Sequence, residues 1–91
     1  MSSKSPLGST EDLIVARLIK SYIMTHQYCT SRQISRFLME NNFGLKTDYT
    51  PICVAKVIRY LLYSPKHHFT WFKCVDVEKK NGRNVYFING G

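Results

Sequence analysis

Apolar residues return every three or four positions over residues 11–27, which is the spacing of an amphipathic helix. Thr10 can cap the start of this helix, and the negative charges of Glu11 and Asp12 stabilise a helix N-terminus. The pattern therefore predicts a first helix that begins at Glu11. Its predicted buried face consists of Leu13, Ala16, Leu18, Ile19, Tyr22 and Ile23.

A second helix is predicted to follow Thr30. Thr30 and Gln33 have the spacing of a capping box, in which each side chain accepts a hydrogen bond from the backbone N–H of the other residue. The helix should end near residues 41–42, and Gly44 can supply a left-handed turn just beyond it. The predicted apolar stripe is Ile34, Phe37 and Leu38, and the polar residues away from it are Ser31, Arg32, Ser35 and Arg36.

Thr50 and Pro51 mark the start of a third helix. Thr50 suits the capping position, and Pro51 suits the first helical position because an N–H there would have no partner inside the helix. Ser64 and Pro65 close this helix, which we predict over residues 50–63. Its inward face is Val54, Val57, Ile58, Leu61 and Leu62.

Residues 68–90 change to the alternating pattern of extended strands, and we predict a β-hairpin there. The dipeptide Asn81-Gly82 is a typical two-residue hairpin turn. With this turn, four apolar side chains share one face of the ribbon, because side chains alternate along a strand. The pairs that the turn sets opposite each other are Lys80 with Arg83, Val77 with Tyr86, and Val75 with Ile88.

Together these elements predict one domain over residues 11–89, which is a usual size for a single core. Residues 1–10 are rich in Ser, Gly, Pro and Lys, and we expect them to form a disordered polar tail. No stretch reaches the roughly 18 apolar residues that a membrane helix needs. We therefore expect no membrane partner.

Positive charge is concentrated in the second half of the chain. The formal net charge is +7, from 13 Lys and Arg against 6 Asp and Glu. Residues 1–48 carry 6 basic and 4 acidic side chains, whereas residues 49–91 carry 7 basic and 2 acidic side chains. Such an uneven excess is typical of proteins that bind a polyanion, most often nucleic acid. The plainer interpretation is that these charges only keep the protein soluble.

No pattern of residues predicts an enzyme or a metal site. Cys29, Cys53 and Cys74 are odd in number and lack the spacing of a zinc knuckle, so we expect reduced, intracellular cysteines and no metal or other cofactor. The chain also lacks a paired-carboxylate site, a glycine-rich phosphate loop, and a nucleophile with a histidine at recognisable spacing. We therefore expect a binding protein.

The order of three helices followed by a hairpin resembles the winged helix-turn-helix superfamily. The resemblance covers residues 11–89 and rests on "YCTSRQISRFL", "TPICVAKVIRYL" and "VDVEKKNGRNVYFI". It implies an α+β fold: a three-helix domain with a C-terminal β-hairpin wing. The link "NNFGLKTDY" departs from the superfamily pattern, because it is longer than the tight turn of a minimal helix-turn-helix. In such proteins the third helix, here 50–63, enters the DNA major groove, and the wing, here 77–86, reaches the neighbouring backbone or minor groove.

The resemblance assigns candidate DNA-binding residues by their position in the matching segments. Lys56 and Arg59 are candidates for guanine edges or phosphates, and Tyr60 can stack or donate a hydrogen bond to a phosphate. The second helix begins with a hydroxyl and a cation that can hold a phosphate at a helix N-terminus. Each cation also has a plain alternative, as part of a solvated face or as an edge lysine that discourages aggregation. The full set is Ser31, Arg32, Thr50, Cys53, Lys56, Arg59, Tyr60, Lys79, Lys80 and Arg83.

We therefore expect a monomeric, double-stranded DNA-binding module that acts in transcription or chromatin regulation in the nucleus. The alternative is a protein-interaction winged helix inside a larger nuclear complex, and RNA is a third possible partner. Cations that cluster with the third helix would favour DNA, whereas cations dispersed around an aromatic patch would favour a protein. The patch expected for a protein partner is Tyr49, Tyr60 and Tyr63, with Phe43 and Ile52. A further aromatic group, Phe69, Trp71 and Phe72, is expected to pack in the core or against the first helix rather than to stack on single strands.

Overall fold

A computed structural model describes residues 10–41, 43–65 and 69–88. The class is α+β, with three helices and a three-stranded antiparallel sheet in the order β1-β3-β2. The predicted N-terminal tail lies outside the described residues except for Thr10, which already belongs to the first helix. The elements are α1 (Thr10–Thr25), β1 (Cys29–Thr30), α2 (Ser31–Glu40), α3 (Pro51–Tyr63), a 3₁₀ helix (Thr70–Phe72), β2 (Val75–Lys80) and β3 (Arg83–Ile88).

Helix α1 is rotated slightly from the face that the sequence predicts. Leu13 was expected inside but is 40% exposed, whereas Val15 is fully buried. Val15, Ile19 and Ile23 are spaced four residues apart, so they lie on one line along the helix and all reach the core. Ala16 is buried beside them, and Leu18 and Tyr22 pack partly against the core. The helix and most of its buried face were therefore predicted correctly, and the error is confined to Leu13 and Val15.

Helix α2 begins as predicted. The Gln33 N–H donates to the Thr30 hydroxyl oxygen at 3.3 Å, and the Thr30 N–H donates to Gln33 Oε1 at 2.9 Å, which confirms the capping box. The helix ends at Glu40, and Gly44 has a φ of +74°, which confirms the left-handed turn. Ser35 was expected outside but is only 3% exposed.

The burial of Ser35 has a clear cause in the loop that joins α2 to α3. The Ser35 hydroxyl donates to the backbone carbonyl of Tyr49. This loop therefore folds back over the side of α2 that would otherwise face water. A buried hydroxyl needs such a partner, and the loop carbonyl supplies it.

Helix α3 and the hairpin confirm most of their predicted details. The Cys53 N–H donates to the Thr50 hydroxyl oxygen at 3.2 Å, so Thr50 is the cap and Pro51 is the first helical residue. The hairpin has the predicted register, and Asn81 and Gly82 both have positive φ, as a type I′ turn requires. The buried residues of α3 are Val54, Val57, Ile58 and Leu61, with Leu62 half-buried.

The first part of the predicted hairpin is wrong, because β2 starts only at Val75. The residues before it form the short 3₁₀ helix, in which Phe72 is completely buried. Trp71 packs partly against the core, and the charged ends of Arg17 and Lys20 from α1 lie 5.5 and 6.0 Å from its ring centre. This confirms packing against the first helix rather than an open stacking platform.

Strand β1 was not predicted. Its two residues pair with β3, with Cys29 opposite Tyr86 and Thr30 opposite Val85. Because β1 runs directly into α2, this pairing holds the start of α2 beside the hairpin. The position of the candidate site depends on this short strand.

Candidate nucleic-acid interface

A continuous cleft runs between the helices and the hairpin. One section has a volume of about 160 Å³ and separates α3 from β2 and β3. The other has a volume of about 270 Å³ and lies among the first residues of α2 and α3 and the first residues of β3. Ala55, Asn84 and Tyr86 line both sections, so the two form one surface, which we call the cleft.

Three arginines from three different elements line the cleft. Arg32 comes from α2, Arg59 from α3 and Arg83 from β3. No acidic residue lines the cleft in the described part of the chain. The one ion pair among residues 10–41, 43–65 and 69–88 joins Arg36 to Glu40 on α2, outside the cleft. The arginines of the cleft are therefore not neutralised by any described carboxylate.

The floor of the cleft carries the phenol of Tyr86. Burial raises the pKa of this phenol, while a hydrogen bond with Asn84 and the positive charge of Arg59 act in the opposite direction. The charge of Arg59 therefore acts on a group at the bottom of the cleft. Neither Asn84 nor Tyr86 was a candidate from sequence, although Tyr86 was predicted on the correct face of the hairpin.

The predicted residues of α3 do not all belong to the cleft. Arg59 is exposed and lines the cleft, whereas Lys56 is exposed but lines neither section of it. The ring of Tyr60 lies 6.1 Å from that of Phe69, and Tyr60 does not line the cleft either. Thr50 is exposed and its hydroxyl oxygen caps the helix.

Cys53 is half-buried and packs against the core, so it lies on the flank of α3. Burial raises the pKa of this thiol, and the nearby negative charge of Asp12 raises it further. Both effects favour the neutral, less reactive thiol.

The three predicted cations of the hairpin point in different directions. Lys79 shares the face of Val77 and Tyr86, which is the face toward the cleft. Lys80 and its cross-strand partner Arg83 lie on the opposite face, and the Lys80 Nζ is 4.8 Å from the ring centre of Tyr28. Arg83 lines the end of the cleft beside Ser31 and Arg32. Of these three cations only Arg83 lines the cleft, while Lys79 lies nearer the tip on the face that carries Val77 and Tyr86.

Other cations have structural contacts of their own. The Lys73 ammonium donates to the backbone carbonyls of Leu62, Ser64 and Pro65, where it caps the C-terminal end of α3. Arg17 and Lys20 lie over Trp71, as described above. None of these three cations lines the cleft, and their contacts explain part of the basic composition without any ligand.

Tyr49 was predicted as an exposed interaction residue, but it is only 1% exposed. Its hydroxyl donates to Asp12 Oδ1 at 2.8 Å and to Glu11 Oε2 at 3.3 Å, and burial raises its pKa. The Glu11 carboxylate also accepts the backbone N–H groups of Lys46 and Thr47, each at 3.0 Å. Glu11 is therefore a positioning residue for the loop that leads into α3. These partners are 35 to 38 residues apart in sequence, so no local pattern signals the contact.

Acid should loosen this loop through Glu11. The backbone N–H of Lys46 holds the pKa of Glu11 below its ordinary value of 4.5, and Thr47 adds to the effect. A lowered pKa in the folded protein stabilises it above the unfolded pKa, and this stability is lost as the pH falls through the folded pKa. We expect the urea midpoint of Glu11→Gln to fall less than that of the wild type between about pH 5 and about pH 3. Glu78→Gln, on the exposed hairpin, is the control and should follow the wild type; identical curves for all three proteins would contradict this role.

Comparison of the chain with protein-family models, with curated protein sequences and with solved structures finds no match. No helix within the described ranges is long and apolar enough to cross a membrane. The same residues contain no group of three His, Cys, Asp or Glu side chains that could hold a metal ion. The geometry of the cleft is therefore the main guide to function.

Proposed function

We propose that this chain is a double-stranded DNA-binding domain of the winged-helix type. Helix α3 enters the major groove, and the hairpin of β2 and β3 is the wing that contacts the adjacent backbone or minor groove. The protein binds as a monomer in this proposal. A nuclear role in transcription or chromatin regulation rests on the resemblance to the winged helix-turn-helix superfamily alone and stays a prediction.

The shape of the hairpin supports the assignment as a wing. Val75 at its base is buried, Val77 is 42% exposed, and residues 79–84 at its tip are all exposed. Strand β1 ties the base of the hairpin to the start of α2, so the base is part of the body while the tip projects. A projecting two-stranded ribbon beside an exposed helix has the dimensions to contact a duplex at two neighbouring places.

The convergence of Arg32, Arg59 and Arg83 in one cleft carries the proposal. Their shared surface has no described carboxylate, so an external polyanion can pair with all three at once. Each arginine that contacts a phosphate releases condensed counterions from the duplex, which favours binding. These three arginines cluster beside α3, whereas Arg17, Lys20 and Lys80 lie over aromatic rings elsewhere. The arginine cluster is the part of this distribution that favours DNA over a protein partner.

The contacts separate into two kinds. Arg59 lies on the exposed side of α3, where a bidentate contact with a guanine edge is possible in a major groove, and Lys56 on the same helix suits a phosphate. Ser31 and Arg32 begin α2, and Lys79 and Arg83 belong to the hairpin, so these residues suit phosphates. Few of these contacts read base edges, so we propose modest sequence specificity.

A titration of labelled, mixed-sequence duplex at low and at moderate salt tests this function. We expect binding that weakens steeply with salt. The wing variant Lys79→Gln/Arg83→Gln should bind several-fold more weakly. Its plot of log K against log salt should fall less steeply, with a slope smaller in magnitude by about 2, because two phosphate contacts are lost. The variant Arg36→Gln/Lys46→Gln removes the same charge outside the cleft and should resemble the wild type. Absence of duplex binding even at low salt would refute the proposal.

One observation favours a second function, protein interaction. Ile52 and Tyr63, both on α3, are 71% and 80% exposed, the two highest values among the large apolar side chains in the described part of the chain. Tyr49 is buried and cannot contribute to the expected patch. If the duplex does not bind, Ile52→Ser and Tyr63→Ser are the variants with which to test loss of a protein partner.

A further inference from the structure

Beside the cleft, the C-terminal half of α3 carries a second concave surface. It has a volume of about 550 Å³ and is lined by Lys56, Arg59, Tyr60, Tyr63, Ser64 and Pro65. We call it the tyrosine groove. Its size lies within the range of ordinary ligand sites, about 300–1,000 Å³.

The chemistry of the tyrosine groove suits a flat aromatic ring that carries negative charge nearby. Most of its exposed lining is carbon, so the cations contribute their aliphatic stems to the walls and keep their charged ends at the rim. Tyr63 has no ring partner in the described part of the chain, and it is 80% exposed. Tyr60 is fixed by its edge contact with Phe69. A nucleobase can stack on such a tyrosine, since every base has a π-face.

The groove is continuous with the cleft. Arg59 and Tyr63 line both surfaces, whereas Lys56 lines only the groove. No acidic residue lines either surface in the described ranges, so a polyanion that occupies the cleft meets no repulsion on its way into the groove. An acidic peptide would satisfy the charge equally, but continuity with the proposed DNA surface favours a nucleic-acid strand.

We propose that the tyrosine groove binds an unpaired nucleotide in a single-stranded extension of the duplex that the cleft holds. The base stacks on Tyr63, and the phosphate pairs with Lys56. Ser64 and Pro65 place the groove at the end of α3, where a strand can leave the duplex. This inference rests on the proposed DNA binding, and it adds that the protein prefers duplexes with a single-stranded end.

The test compares a blunt duplex with the same duplex carrying a short 5′ or 3′ extension that contains 2-aminopurine. We expect the wild type to bind one extended duplex about five- to tenfold more tightly than the blunt one, with quenching of the 2-aminopurine fluorescence. Tyr63→Ala should lose both the preference and the quenching. Tyr63→Phe keeps the stacking ring and should retain both. Ile52→Ala removes an exposed apolar side chain of the same helix outside the groove and should leave the preference unchanged.

The outcomes separate this inference from the proposed function. Equal affinity for blunt and extended duplexes, with no quenching, refutes the groove as a nucleotide site but leaves duplex binding intact. The same loss of preference in Ile52→Ala and Tyr63→Ala also refutes it, because the effect would then not belong to the groove. Failure to bind either duplex refutes both proposals.

Discussion

Replacing Arg32 and Arg59 together by glutamine is expected to weaken duplex binding about ten- to a hundredfold at low salt. The two arginines come from opposite ends of the cleft, one on α2 and one on α3. Arg59 can make a bidentate contact with guanine, and Arg32 can make a charge-assisted contact with a phosphate. Neither has a carboxylate partner in the described part of the chain, so the free energy of unfolding should change by no more than about 0.5 kcal/mol. Fluorescence anisotropy at several salt concentrations and urea denaturation measure the two effects.

The single variants distinguish a contact with a base edge from a contact with a phosphate. Arg59→Gln should reduce the difference in affinity between duplex sequences, because it removes a contact with a base edge. Arg32→Gln should weaken binding to all duplex sequences equally. It should also reduce the magnitude of the slope of log K against log salt by about 1. Arg36→Gln/Lys46→Gln again serves as the charge-matched control. If that control loses as much affinity as the cleft variant, binding follows net charge alone and the cleft is not a site.

The features that sequence predicted best are those fixed by neighbouring residues. The capping box at Thr30, the cap at Thr50 and the turn at Asn81-Gly82 each involve residues no more than three positions apart. Because the turn sets the register, it also placed Val77 opposite Tyr86 correctly. Local hydrogen bonds and backbone preferences decide these features, so the sequence is sufficient to predict them.

The features that sequence missed depend on distant contacts. Strand β1 has two residues, which is too short for any periodicity, and it exists only because β3 lies beside it. Tyr49 lies in a loop, and its burial depends on Glu11 and Asp12 at the start of α1. Leu13 was placed on the buried face wrongly because residues 13–19 put apolar side chains on several sides of α1, so more than one buried face fits the pattern.

The residues of the candidate site also fall into those that local pattern predicts and those that depend on distant contacts. Arg59 was a candidate because it lies on an exposed helical face, and the structure places it in the cleft. The convergence of Arg32 with Arg83 could not be predicted, because it depends on β1. The separation of Lys79 from Lys80 follows from the alternation of side chains that also set the register, so the sequence held this information.

Phe72→Ala is expected to lower the free energy of unfolding by about 3–5 kcal/mol. Phe72 belongs to the 3₁₀ helix that links α3 to β2, is completely buried, and makes an edge-to-face contact with Trp71 at 5.8 Å between ring centres. Its removal leaves a cavity that neighbouring residues can fill only in part. Small domains have total stabilities of about 5–15 kcal/mol, so this one change removes a large share and loosens the base of the hairpin.

Trp71 is the single tryptophan of the chain, and its emission during urea denaturation measures the loss. Phe43→Ala makes the same chemical change at a ring that is 40% exposed and lies 5.4 Å from Phe37, so we expect it to cost no more than about 1 kcal/mol. Equal losses in the two variants would contradict a core position for Phe72. A loss confined to Phe72→Ala, together with weaker duplex binding at temperatures where the protein is still folded, would show that the core beneath the hairpin also holds the cleft in its binding geometry.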